Sequence, residues 1–133
     1  MTHSIPLRVY YEDTDLAGIV YYANYLKYIE RARTEWIRDL GIDQTRLRTE
    51  AGVVFAVRRL TADYLRPAHF DDLLTATTSP RAISGARIVL AQEVWRDETP
   101  LFVAEVTLVC LTSSGQPRRL PGTVRALLPG AVP

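Results

Sequence analysis

A chain of 133 residues, 47% hydrophobic and 23% charged, is globular in composition, long enough for one cored domain and too short for two ordinary ones. Its net charge of +1 excludes a global pull towards nucleic acid or an anionic membrane, so any basic function is local. No apolar run approaches the roughly 20 residues that a transmembrane helix needs, and the opening MTHSIPLRVYYED has neither the basic start nor the apolar stretch of a secretory signal, so a cytoplasmic location without membrane insertion is expected.

In chain order, Ile5, Leu7, Val9 and Tyr11 alternate with Pro6, Arg8, Tyr10 and Glu12, the two-residue period of a half-buried strand. The loop EDTDLAG follows. Over residues 24–40 the period becomes helical: Tyr25, Leu26, Ile29, Ala32, Trp36, Ile37 and Leu40 form one apolar stripe, while Lys27, Glu30, Arg31, Arg33, Glu35 and Arg38 fill the remainder. Asn24 fits the N-cap and Gly41 the C′ position. A polar helical piece is predicted at 43–51. Strands are predicted over 53–65, from about 73 after a turn at Pro67, over 86–96, and over 101–113, with DETP as a hairpin turn. The near-continuous apolar run 101–111 suggests a central strand covered on both faces. A turn, a short helical piece and a loose tail close the chain. The expected architecture is a single α+β domain over residues 1–133, an antiparallel sheet wrapped around the one helix able to fill it.

The chemistry available is limited. His3 and His69 are far apart with no Cys or His at ligand spacing, so no metal site is expected, and neither His has an orienting context for a catalytic triad. No glycine-rich phosphate loop is present. Cys110, the one cysteine, lies in the apolar run VTLVCLT and reads as a buried structural thiol. The carboxylates remain. Asp15 sits in a loop before the helix, with Gly18 free to adopt φ > 0, and the helix start at 22–24 presents unpaired N–H groups. A carboxylate beside such donors can attack, or activate water against, a carbonyl whose oxyanion they hold. The alternative is that Asp13 and Asp15 simply cap the helix, and that the tyrosines at 10, 11, 21, 22, 25 and 28 are core or interface. The residues alone leave both readings open.

The stretch RVYYEDTDLAGIVYYANYLKYIERARTEW, residues 8–36, resembles the signature of the 4-hydroxybenzoyl-CoA thioesterase family of hotdog-fold proteins, and within it the Tol–Pal-associated acyl-CoA thioesterases of bacteria. The likeness continues through FAVRRLTADYLRPAHFDDLL and VCLTSSGQPRRLP, nearly the whole chain. It implies a hotdog fold, a curved five-stranded antiparallel sheet around one long helix, with edge strands joined in a homodimer, dimers paired into a homotetramer, and active sites at the dimer interface.

By position, the resemblance makes Asp15 the catalytic carboxylate, as nucleophile or as general base, and the backbone N–H of Tyr22 the donor that polarises the thioester carbonyl. Tyr11 supports the site, Gly18 and Val20 belong to the substrate-binding loop, and capping stays with Asp13. Tol–Pal-type proteins commonly carry histidine where this chain has Tyr22, whereas the 4-hydroxybenzoyl-type enzymes carry an aromatic residue; the backbone donor survives that change, and acyl choice is what it bears on. Arg118 and Arg119 match a basic segment near the CoA nucleotide, arginine suiting phosphate through its planar fork. Arg81 and Arg87 are weaker candidates, and Arg58 and Arg59, adjacent on a strand, are expected to face opposite sides.

The implied function is hydrolysis of short-chain or aromatic acyl-CoA to acid and thiol without a cofactor. A hotdog dehydratase is disfavoured because the motif lacks a catalytic histidine. The contrasting class is a cell-envelope-associated scaffold that binds acyl-CoA or an acyl carrier protein with little hydrolysis; the intact Asp15 and its glycine loop argue against it.

Overall fold

The computed structural model describes residues 2–130. Strand β1 (His3–Arg8) leads through a 3-10 turn (Tyr11–Asp13) and the Asp15 loop to the long helix α1 (Asn24–Asp39). Helix α2 (Gln44–Arg46) continues as a π-helical turn (Leu47–Ala51) into β2 (Val53–Tyr64), and β3 (Leu73–Ser84), β4 (Arg87–Arg96), β5 (Thr99–Thr112) and α3 (Gly122–Arg125) follow. The strands form one five-stranded sheet in the order β1-β3-β4-β5-β2, every pair antiparallel. This is the hotdog arrangement, an α+β fold. None of the described helices is long and apolar enough to cross a membrane.

Helix α1 buries Tyr25, Tyr28, Ile29, Ala32, Trp36 and Ile37 against β1, β3 and β4. Their spacing turns one stripe inward, and each large side chain so buried contributes about 1.5–3 kcal/mol. Leu26, placed in that stripe by the sequence, is 40% exposed, and Tyr28 fills its place at 0%. From the sheet, Leu74, Ala76, Ile88, Leu90, Val94, Phe102 and Val106 complete the core. Gly41 takes φ +90 directly after the helix, as a C′ glycine should.

Several expectations are corrected. Strand β1 ends at Arg8 rather than continuing to Glu12, because the Asp13 carboxylate captures the Tyr10 N–H at 2.8 Å and bends the chain. Tyr11 is consequently 82% exposed. Asn24 does not cap α1; it is the first helical residue, and its Nδ2 donates to the Asp13 carbonyl instead. Strand β5 is internal, between β4 and β2, but its second face is only partly covered, and Glu105 on it is exposed. The β2–β5 register shifts between Val57 and Arg59, so strict alternation no longer separates Arg58 from Arg59. Near the C-terminus, Leu120, Val124 and Leu128 are buried and close the core; of the loose tail expected at the chain end, residues 131–133 lie outside the described residues.

Candidate active site

The Asp15 loop is a tight turn closed by its own backbone. Thr14 pairs with Val20 across it, Asp15 N–H donates to the Ile19 carbonyl at 2.9 Å, and Gly18 N–H to the Asp15 carbonyl at 3.0 Å. Gly18 adopts φ +79, a conformation that glycine enters without steric cost. Asp15 Oδ1 accepts the Ala17 N–H at 2.9 Å, while Oδ2 has no hydrogen-bond partner among the described residues and the residue is exposed. Neither acid caps α1. Asp13 caps the 3-10 turn, and its main-chain carbonyl receives the Tyr21 N–H at 2.9 Å. The buried Tyr28 hydroxyl makes no hydrogen bond of good geometry, and burial first, then the Asp13 carboxylate facing it, push its pKa up.

Val20, 2% exposed, donates its N–H to the Ala68 carbonyl at 2.9 Å and so joins the loop to the segment after β2. Tyr25 holds the other side of that residue, its Oη accepting the Ala68 N–H at 3.0 Å. Between loop, helix start and this segment lies a cleft of about 370 Å³ lined by Asp15, Ile19, Val20 and Tyr22 on one side, and by Tyr64, Leu65, Arg66 and Pro67 on the other. No acceptor holds the Tyr22 N–H among the described residues, whereas the Tyr22 carbonyl accepts from Tyr64 Oη at 2.9 Å. The walls are aromatic: the Tyr25 ring stacks on Phe102 at 5.1 Å and meets Tyr64 edge-on at 5.5 Å, and Tyr21 lies 4.9 Å from Tyr22. Tyr22, then burial, then the Asp15 charge raise the Tyr21 pKa, and burial raises those of Tyr25 and Tyr64, so these phenols stay neutral donors.

Asp15, Tyr22 and Val20 therefore converge on one cleft that Gly18 shapes. Tyr11 does not line it, its ring resting edge-on against Phe70 at 6.2 Å. Arg118 and Arg119 stand at the other end of the sheet: Arg118 N–H bonds the Cys110 carbonyl, while the cleft lies at the Tyr64–Phe102 pair. Eight residues along β5 amount to roughly 26 Å at strand rise. Sequence reading missed Tyr64, Leu65, Arg66 and Pro67, which approach Asp15 only through the fold; the adjacent cation Arg66 and turn-forming Pro67 in YLRP were the one local signal.

A second concavity of about 390 Å³ between α2 and α3 lacks a free reactive group: Arg46 pairs with Glu50 at 3.0 Å, and the Asp43 carboxylate caps α2. Both histidines do have carboxylate neighbours that the sequence did not reveal, His3 with Asp39 at 2.7 Å and His69 with Asp72 at 3.9 Å. His69 pairs across from Ile19 yet does not line the cleft. Among the described residues no cluster of His, Cys, Asp or Glu could hold a metal.

The family model described as "Thioesterase superfamily" matches residues 17–103. The acyl-CoA thioesterase YbgC of Haemophilus influenzae is 41% identical over 124 residues, covering 92% of this chain and 91% of that protein. The acyl-CoA thioester hydrolase YbgC of Escherichia coli O157:H7 is 42% identical over 123 residues, 91% of each chain. Among solved structures, a probable thioesterase from Bartonella henselae superposes with a TM-score of 0.88 at 39% identity, over 91% of this chain and all of that one. A 4-hydroxybenzoyl CoA thioesterase variant complexed with 4-hydroxybenzoyl CoA shares the fold, at a TM-score of 0.89 and 21% identity over 95% of this chain and 97% of that one.

Proposed function

This chain belongs to the thioesterase superfamily, and from that premise we propose that it is an enzyme hydrolysing acyl-CoA, the whole chain serving as one catalytic domain and Asp15 and the Tyr22 N–H as its reacting pair. The observation that carries the reading is the shared cleft: a carboxylate with one oxygen unpartnered, and a backbone donor without an acceptor, among the described residues line the same aromatic-walled space. Asp15 attacks the thioester carbonyl carbon, or takes a proton from a water that does; the carbonyl oxygen gains charge and the Tyr22 N–H, at the positive end of α1, holds it. Collapse of the tetrahedral intermediate breaks the C–S bond, and the thiolate leaves to be protonated. If Asp15 is the nucleophile, water then hydrolyses the acyl anhydride it forms. The apolar lining fits a short-chain or aromatic acyl group, and no cofactor is required.

The thiol carrier reaches basic groups in two ways. Arg66 lies in the cleft wall itself. Arg118 and Arg119 reach it only from a second copy. Strand β2 is a sheet edge of 12 residues, an unpaired row of N–H and C=O groups that proteins ordinarily cover. Antiparallel pairing of β2 with its copy sets the Val53 end of one subunit, and with it the arginines, beside the Tyr64 end of the other.

The test is thiol release from short, long and aromatic acyl-CoAs by the wild type and Asp15→Asn. Asparagine keeps the oxygen that receives the Ala17 N–H, so the loop holds while the charge is lost. A fall of about 10²–10⁴ in kcat with unchanged folding is expected. Unchanged activity would remove Asp15 from the reaction, and no release from any substrate by the wild type would replace catalysis with acyl-CoA or acyl-carrier binding.

A further inference from the structure

Tyr64, the last residue of β2, stands 42 positions from Tyr22 in sequence. We propose that Tyr64 is a positioning residue for the oxyanion donor: by holding the Tyr22 carbonyl, its hydroxyl fixes the turn from which the Tyr22 N–H enters the cleft. This rests on the reading of Asp15 and Tyr22 given above.

A peptide plane turns its N–H and C=O together, because the bond between them is rigid. The Tyr22 N–H therefore turns with the preceding carbonyl, and the plane of the following carbonyl is joined to it at the Tyr22 Cα. The preceding one, Tyr21 O, is held by the Asn24 N–H at 2.8 Å. The following one, Tyr22 O, is held by Tyr64 Oη at 2.9 Å and by no other described group. Helix residues hold the two ends of this turn, Asn24 N–H on the Tyr21 carbonyl and Leu26 N–H on the Ala23 carbonyl, but not its middle peptide. Loss of the Tyr64 bond frees the middle peptide of this turn, and with it ψ at Tyr22, while leaving the helix intact.

Tyr64 is itself well held. Its ring meets Phe102 at 5.0 Å, Tyr25 at 5.5 Å and Tyr22 at 6.2 Å, each edge to face. Beyond it, Leu65 and Arg66 both donate backbone N–H groups to the Leu101 carbonyl and terminate the strand. The hydroxyl thus links the sheet edge, where a second subunit would pair, to the donor.

The experiment compares wild type, Tyr64→Phe, Asp15→Asn and the double variant, using a substrate that the wild type turns over. Phenylalanine keeps the ring contacts, and position 64 is 48% exposed, so Tyr64→Phe folds with the wild-type spectrum. A loss of about tenfold or more in kcat with KM within about threefold is expected, since removing such a donor outright costs 10²–10³. On Asp15→Asn, the carbonyl stretch of bound acyl-CoA should shift to lower frequency than in solution. In the double variant that shift should shrink, which loss of packing alone would not produce. A dead Asp15→Asn beside a Tyr64→Phe with unchanged kcat and unchanged carbonyl shift overturns the positioning role alone. A rise in KM without a fall in kcat also overturns it, making Tyr64 a binding surface. An active Asp15→Asn overturns the underlying reading, and this inference with it.

Discussion

Gln92 Nε2 lies 2.7 Å from the main-chain carbonyl of Ile29, joining the middle of β4 to the middle of α1 across 63 positions of sequence. The same amide donates to Thr78 Oγ1 at 3.1 Å, and Gln92 Oε1 accepts from Arg33 Nη1 at 2.8 Å. Gln92 and Thr78 are fully buried, so the network pins the helix into which the Tyr22 turn leads. Burial holds the Arg33 pKa below its ordinary value, opposed by Glu30.

Replacing Gln92 by leucine fills the space but strands Thr78 and the half-buried Arg33 without their partner. Each unsatisfied polar group costs about 1–3 kcal/mol. A drop in the urea midpoint corresponding to at least about 2 kcal/mol is expected at unchanged m-value. An unchanged midpoint would mean that the network contributes nothing net.

Gly18→Ala tests the turn that presents Asp15. A Cβ at this position meets no atom within 4 Å, so the cost is the left-handed backbone alone, at φ +79. That is about 1–2 kcal/mol, accompanied by a fall in thiol release as Asp15 leaves its place. Wild-type activity and stability together would show the turn to be indifferent to its backbone.

The segment behind the cleft is held by Asp72, which accepts the His69 N–H at 2.9 Å and Arg96 Nη1 at 2.8 Å; Arg96 also reaches the Pro67 carbonyl at 3.1 Å. Burial raises the Asp72 pKa, but these partners outweigh it and the net shift is downward from 3.8. A depressed folded pKa stabilises above the unfolded value and ceases to do so as pH falls through the folded one. Wild type should therefore exceed Asp72→Asn in urea midpoint at neutral pH, with the gap closing below about pH 4. A gap independent of pH would assign the difference to geometry rather than charge.

Mixed dimers test the second-copy arginines. Asp15→Asn supplies intact Arg118 and Arg119, and Arg118→Ala/Arg119→Ala supplies an intact Asp15. If each cleft draws its arginines from the other subunit, co-refolding the two impaired chains regenerates one complete cleft per mixed dimer. At saturating ratios, thiol release at low acyl-CoA should then exceed the sum of the separate chains. Strict additivity would place the arginines outside the partner's cleft.

Much of this was legible in the sequence because it is written in local periods. The stripe Tyr25–Ile29–Ala32–Trp36 recurs at helical spacing whatever surrounds it, and Gly41 marks its end by the conformation it alone enters cheaply. Cys110, read as buried, is 0% exposed with its pKa raised by burial. Where the reading slipped, a hydrogen bond outcompeted the period. The alternation through Tyr11 carried no sign that Asp13 would take the Tyr10 N–H and turn the strand away, nor did Asn24 reveal that its side chain would serve the Asp13 carbonyl instead of the helix.

The sequence by itself determined which groups are chemically able: Asp15 two places beyond Asp13, Gly18 three further on, and a helix start within the next few residues, all joined by so short a stretch of chain that they must lie near one another. Only the tertiary structure decided what faces them. Tyr64, Arg66 and Pro67 enter the cleft because β2 runs antiparallel to β5 and ends at Phe102, and Gln92 meets Ile29 because β4 passes beneath the helix. The same strand pairing carries Arg118 to the far end of the sheet. Such meetings depend on register between distant segments, and register is set by burial of the whole face, which no single stretch of sequence contains.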